Sequence, residues 1–355
     1  MKRIAAFIMA LLTFLCLAAC GQPAEEPTLQ PSQRPQYTPS FEELSIDLGL
    51  APRESASCIY TGKGAAVFSV STDGATARLL VYSSQDEKIT ASYEISGDCT
   101  VSSAMPWEDG ILYGMQTGAS GNVTWELIFS NGADTRTLDR GSTDSLDDTP
   151  RLFEASGVAM YLWHCGDAFG VNKVVNQKTE LVLGETAYRL WGNEILSNGT
   201  EFCYMAAKEG DDFYTCFIGD AEGNLTKVPV TRYLSDFAIC KDYVIWGVTD
   251  SSGKFPKQLA VITNLETGES TQLQSHLILK GLWGGAENLC IFAQNVPQCD
   301  IYVIDPEAGC MYEIELPEPA GYNQRISFRP LGDGEFFLRY WGGEAPEAFY
   351  KLSFS

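Results

Sequence analysis

Few residues in this 355-residue chain have the types and spacings that chemistry requires. Histidine occurs twice, at His164 and His276, which leaves no multi-histidine metal centre. The eleven cysteines contain no Cys-x-x-Cys pair, so no zinc ligand set is expected either. Adjacent acids at Asp147-Asp148 and Asp211-Asp212 are the candidates for a carboxylate-held cation. Neither sits in an Asp-x-Asp-x-Asp-Gly loop, and solvated loop acids are the better expectation. The sequence holds no Gly-x-Ser-x-Gly elbow and no glycine-rich phosphate loop before a helix. With 46 acidic residues, the carboxylate pairs available for glycoside hydrolysis are too many to choose among. No catalytic residue, metal or cofactor is therefore nominated. An active site, if present, must be assembled from scattered positions.

Charge narrows the partners. Lys plus Arg is 24 against Asp plus Glu 46, a net charge of −22. Nucleic-acid phosphates and anionic lipid headgroups both require clustered cations, so neither is an expected partner. Apolar residues make up 45% of the chain, enough to bury a core, and the 33 glycines and 16 prolines imply many turns.

The N-terminus reads as an address. Met1-Lys2-Arg3 is followed by a mostly apolar stretch from Ile4 to Ala19, the length of a signal-peptide core and short for a membrane span. It ends in Leu17-Ala18-Ala19-Cys20-Gly21. That run resembles the bacterial lipobox, which implies a signal peptide over 1–19 and a lipid on Cys20 as the mature N-terminus. The resemblance implies a chain anchored on the extracytoplasmic face of the cell membrane. Pro23, Pro27, Pro31, Pro35 and Pro39 then recur at every fourth residue. Proline favours extended chain, so residues 20–40 are expected to act as a tether reaching roughly 60 Å at ~3.1 Å per residue.

From residue 41 to 355 short apolar runs alternate with turn signals, and no helical periodicity is sustained. One run returns seven times, anchored on Val67, Leu112, Ala159, Cys203, Val244, Cys290 and Phe337, at spacings of 41 to 47 residues. A second run follows in each unit, as in Leu259-Ala260-Val261-Ile262-Thr263 and Ile301-Tyr302-Val303-Ile304-Asp305. Four short strands per unit at this period predict an all-β fold, a seven-bladed β-propeller of four-stranded blades. The last unit supplies three strands. Residues 41–50, with Glu43-Leu44-Ser45-Ile46-Asp47-Leu48 as the strand, are expected to close that blade. The turns Asn264-Leu265-Glu266-Thr267-Gly268-Glu269 and Asp305-Pro306-Glu307-Ala308-Gly309 carry the strand–Asp/Asn–turn–Gly–strand pattern. In this the units resemble propeller blades of the broad YVTN-like or TolB-like family, which implies a fold and no activity.

In a propeller the second strand of each blade runs toward a loop-bearing face. Trp163 and Trp341 lie at the ends of such strands, beside His164 and Tyr340, and Asp211 and Asp212 belong to a neighbouring loop. These six are the candidate ligand-binding residues, because aromatics beside carboxylates can stack on a sugar, cap a peptide or cradle a cation. The competing expectation for each tryptophan is packing between blades. Nine cysteines follow Cys20, of which Cys203 and Cys216 fall close enough on one hairpin to bridge. The overall expectation is a monomeric lipoprotein that binds a protein, peptide or envelope glycan without catalysis. The alternatives are an enzyme acting on polysaccharide or peptide, and an accessory or sensor subunit of an envelope complex.

Overall fold

The computed structural model describes residues 37–355, apart from positions 167, 187, 193, 255, 276, 286 and 333 and segments 295–299, 318–324 and 343–346. The expected signal peptide, Cys20 and most of the tether lie outside the described residues, as do His276 and Cys299. The rest forms seven antiparallel sheets. Blades 1 to 6 span residues 54–94, 100–143, 151–186, 188–229, 233–275 and 282–314. Blade 7 combines 325–354 with Pro39–Glu43. The first strands contact one another in turn around a closed ring and so line the axis. The fold is a seven-bladed β-propeller.

Alternation along each strand explains the ring. In the second strand of blade 1, Ala65–Thr72, the side chains of Ala66, Phe68 and Val70 pack with Phe337 and Phe349 of blade 7. Val67, on the opposite face, packs with Val101 and Ile111 of blade 2. The same division recurs at every interface, giving seven apolar clusters for seven gaps. All seven anchors are at most 1% exposed. Fully burying a large aliphatic or aromatic side chain contributes roughly 1.5–3 kcal/mol, and a lone blade would leave both faces wet.

Polar ties cross from blade to blade near the axis. Thr76 Oγ1 accepts the Val101 N–H at 3.0 Å, and Ser103 Oγ accepts the Leu152 N–H at 2.9 Å. Asn198 Nδ2 donates to the Cys240 carbonyl at 2.8 Å, and Arg339 donates to the Ala56 carbonyl at 3.0 Å. Each satisfies a backbone group on a blade's inner strand or just beyond its end.

The two faces of the ring differ in their connections. Where first strands end, the chain turns tightly, and so it does where third strands end. Asn131, Asp220, Asn264 and Asp305 each accept a backbone N–H within a turn of the latter kind. This is the turn face. The opposite, loop face carries the blade-to-blade connectors and the links from second to third strands.

Closure differs from the sequence expectation. The closing strand is Pro39–Glu43, paired with Ala348–Phe354, and not the run from Glu43 to Leu48. Leu44 and Leu48 instead turn inward and fill the gap between blades 7 and 1, so their apolar spacing serves a connector. The tether therefore ends before Pro39, and Thr38 already exchanges backbone bonds with Ser355 at 2.9 and 3.1 Å. Cys203 and Cys216 are free thiols. Cys203 pairs with Ile218 and Cys216 with Met205, which makes the two cysteines diagonal neighbours, a poorer geometry for a bridge than a directly opposed pair.

A chain beginning at Leu44 loses a ladder of five residue pairs. We expect a loss on the order of 4 kcal/mol at about 1 kcal/mol per net hydrogen bond. Calorimetry should then show a melting temperature lower by roughly 6 °C, whereas a chain beginning at Tyr37 should melt like the full protein.

Candidate functional site

The axial channel opens on the turn face into a cavity of about 450 Å³. Six of the seven blades line it, blade 2 being absent, and the side chains that define its chemistry are Tyr60, Lys63, Glu154, Trp283 and Arg329, while the Asn198 amide is spent on the backbone of Thr200, Glu201, Cys240 and Lys241. Lys63 follows the first strand of blade 1 and Glu154 belongs to that of blade 3. Their Nζ and Oε1 atoms lie 2.7 Å apart, so the ion pair spans the mouth in front of blade 2. Across the opening, the Arg329 guanidinium sits 5.4 Å from the centroid of the Trp283 ring. A cation held against an aromatic face is attracted by the ring quadrupole and keeps donors free for a ligand. Gly284 lets this part of blade 6 approach blade 5, since a Cβ there would lie 2.2 Å from the Ile239 carbonyl oxygen.

Further charges line the channel. Arg151 begins the first strand of blade 3, Asp236 lies within that of blade 5, and Glu194 falls between the two short segments that make up that of blade 4. Glu194 is open to channel solvent yet ringed by protein at longer range. That burial, followed by repulsion from Asp236, raises its pKa despite the attraction of Arg151 and Arg329. Burial raises the Asp236 pKa too, against the N–H bonds it accepts from Phe237, Gly281 and Leu282. Burial also lowers the pKa of Arg151. Perturbed titrating groups in a cleft are a recognised mark of functional sites.

The six residues singled out from sequence do not form one site. Trp163 lies in a groove of about 320 Å³ between blades 2 and 3, beside Trp125, Asp139 and Leu181. Its Nε1 donates to Asn172 at 3.2 Å, and its ring lies against Gly170, where a Cβ would come within 2.6 Å. His164 Nδ1 lies 2.9 Å from the Asp148 carboxylate, tying blade 3 to the connector that precedes it. Tyr340 is 3% exposed in the core between blades 6 and 7, edge-on to Tyr350. Trp341 is exposed on the loop face, with Arg325 and Arg339 at 5.4 and 5.9 Å from its ring. Asp211 and Asp212 are exposed in a loop of blade 4, where Asp211 accepts the Lys208 N–H at 3.1 Å. Sequence reasoning followed second-strand ends and passed over the channel. The signal available was a charged residue interrupting an inner strand, as Arg329 does between Phe328 and Pro330.

No protein-family model and no curated protein matches the chain. Solved structures share its fold. An oligogalacturonate lyase in complex with manganese aligns with a TM-score of 0.54 at 10% identity, over 93% of this chain and 98% of its own. The oligogalacturonate lyase of Vibrio parahaemolyticus gives 0.53 at 10% identity, over 89% and 97%. A prolyl endopeptidase structure gives 0.52 at 12% identity over 81% of this chain, which spans 46% of that longer protein. At such identities the likeness is one of fold alone. Among the described residues, no group of three or more His, Cys, Asp or Glu side chains is placed to hold a metal ion.

Because the Glu194 pKa is raised, the stability tied to its protonated form is present at low pH and is lost as pH rises through the folded-state value. Glu194→Gln should therefore raise the melting temperature at neutral pH, with the gain shrinking toward about pH 4, the ordinary glutamate range. A gain independent of pH, or a loss at neutral pH, would contradict this electrostatic account.

Proposed function

We propose that this chain is a lipid-anchored binding protein of the extracytoplasmic membrane face, with its ligand seated in the channel mouth on the turn face. The observation that carries the reading is the cavity of about 450 Å³, to which separate blades bring a cation on an aromatic ring and an ion pair. Its size suits a few residues of a polymer or a small molecule. Arg329 would take a carboxylate or another anionic group, and Trp283 would stack on a ring or an apolar face. Glu194 would meet an ammonium. A peptide, or an envelope glycan bearing amino and carboxylate groups, has this combination.

The anchor reading rests on the sequence from Met1 to Gly21, and the fold is compatible with it. The third strand of blade 7 ends on the turn face, and Thr38 is bonded to Ser355 there. A tether leading to Cys20 would thus leave from the face that bears the cavity.

A second reading is an enzyme acting on polysaccharide or peptide, favoured by one observation. Glu194 is a channel carboxyl whose raised pKa would suit a general acid.

Full-length protein in detergent, titrated with a panel of peptides and envelope oligosaccharides, tests both. Binding that weakens at least tenfold (about 1.4 kcal/mol) in Arg329→Ala and in Trp283→Ala is the expected result. No binding across the panel, or affinity indifferent to both substitutions, would sink the channel-mouth proposal. Turnover of a bound compound that Glu194→Gln abolishes, with affinity retained, would establish the enzyme instead. Separately, Cys20→Ser should abolish incorporation of labelled fatty acid and release the protein from membranes.

A further inference from the structure

The tether joins the ring close to the channel mouth. Tyr37 packs against the core between blades 6 and 7, and Trp283, on the first strand of blade 6, borders the inner end of that core. Arg329, on the first strand of blade 7, meets the Trp283 ring across the same boundary. The closing strand is the outermost of blade 7 and the strand of Arg329 the innermost, three strand spacings or about 14 Å away. Glu26 precedes Tyr37 by eleven residues, which extend over roughly 34 Å at ~3.1 Å each. The tether therefore reaches the mouth with chain to spare.

Charge along this path is ordered. The charged residues that line the mouth are two cations, Lys63 and Arg329, and one acid, Glu154, in a chain of net charge −22. Glu154 is matched by Lys63, and among the described residues no carboxylate pairs with Arg329. The point where the chain enters is the reverse. Burial raises the Tyr37 pKa, and Asp305, Glu307 and Glu287 raise it further, so acids gather there. A Cβ on Gly334 would come within 3.0 Å of the Glu287 side chain, which places that acid at the boundary of blades 6 and 7. Between Gly21 and Gln36 only three residues are charged: Arg34, three positions before Tyr37, and the distant pair Glu25-Glu26. The tether thus offers a cation near the acids and two acids at the distance of the unpaired arginine.

We propose that residues 25–31 fold back over the turn face and occupy the channel mouth until a ligand displaces them. A carboxylate of Glu25 or Glu26 takes the Arg329 guanidinium, Pro27 lies against the Trp283 ring, and Arg34 stays among the entry acids. Proline-rich chain suits such a seat, because its extended form is already set and packs well on aromatic rings. Being joined to the ring, the strap has an effective concentration in the millimolar range. A contact with a Kd of about 1 mM between separate molecules would then keep the mouth roughly half occupied. This inference rests on the mouth being a binding site, as proposed above, and is independent of the ligand's identity.

The test places a photo-crosslinking amino acid at Thr28 of the full-length protein in detergent and maps the adducts by peptide mass spectrometry. The expected result is an adduct within one molecule, to Trp283, Arg329 or their neighbours in the cavity lining. Its yield should fall at least fivefold in Glu25→Gln/Glu26→Gln, in Arg329→Ala, and at about 1 M salt, where the Debye length is ~3 Å. The glutamate variant lies outside the ring, so it decides the matter even if Arg329→Ala lowers stability. Saturation with any panel compound whose binding needs Arg329 should suppress the adduct. No adduct, adducts scattered over both faces, adducts only between copies, a yield indifferent to Glu25→Gln/Glu26→Gln, or an adduct that survives such a compound would each overturn the inference. If no panel compound binds, the crosslink still stands or falls by itself, and binding without a crosslink would describe an open mouth.

Discussion

Everything in this molecule depends on one constraint, that a four-stranded blade has two apolar faces and cannot cover either alone. Alternation along Ala65–Thr72 sends Phe68 toward blade 7 and Val67 toward blade 2, so each blade completes the core of both its neighbours. Seven gaps carry seven clusters, and leaving one gap open would wet two blades at once. The ring is therefore cooperative, and the pairing of Pro39–Glu43 with the last strand is the point at which the chain locks itself shut. Polar ties such as Thr76 to Val101 and Ser103 to Leu152 contribute less energy than the apolar gaps, but they fix the height of one inner strand against the next.

That height decides where chemistry can sit. The inner strands have a free edge on the axis, and side chains at their ends converge on one opening. Lys63 and Glu154 come from blades that are not neighbours, and only the closed ring brings them within 2.7 Å. Arg329 and Trp283 meet across the boundary of blades 7 and 6. The channel mouth is thus a product of closure, and none of its charged groups is near another in sequence. The loop face, by contrast, is built from connectors whose lengths the core does not dictate, and it is there that exposed aromatics accumulate.

This division also explains what the sequence made legible. The blade count was legible because packing repeats: Val67, Leu112, Ala159 and the other anchors must each be apolar to fill equivalent gaps. The Asn and Asp turns were legible for a similar local reason, their side chains closing a turn with their own backbone, as Asn264 does with Glu266. The closing strand was misplaced because Leu44 and Leu48 have the apolar spacing of a strand while serving as plugs under a connector. The tryptophans were ambiguous for a deeper reason. Trp163 and Trp341 occupy equivalent positions in their blades, yet Gly170 opposite Trp163 gives its ring a place to lie flat. Trp341 is paired with Arg325 instead, and it stays exposed between two arginines. A cross-strand neighbour made the difference, and identifying it requires the register.

The charge distribution carries the argument one step beyond the fold. A chain this acidic has no electrostatic reason to spend cations in its axial channel, where burial lowers the pKa of Arg151 and partly desolvates Arg329. Solubility would be served equally by placing them outside, and the core clusters do not use them. Nor do the acids there profit fully, since the Glu194 pKa stays raised with both arginines in range. These charges do not support the packing, and Glu194 is left to solvent. A ligand bearing counter-charges would displace that solvent, whereas a purely structural ion network closes into direct pairs. The Lys63–Glu154 contact at the rim is such a pair, and among the described residues no carboxylate pairs directly with Arg329 farther round the mouth, which leaves its guanidinium on the Trp283 ring.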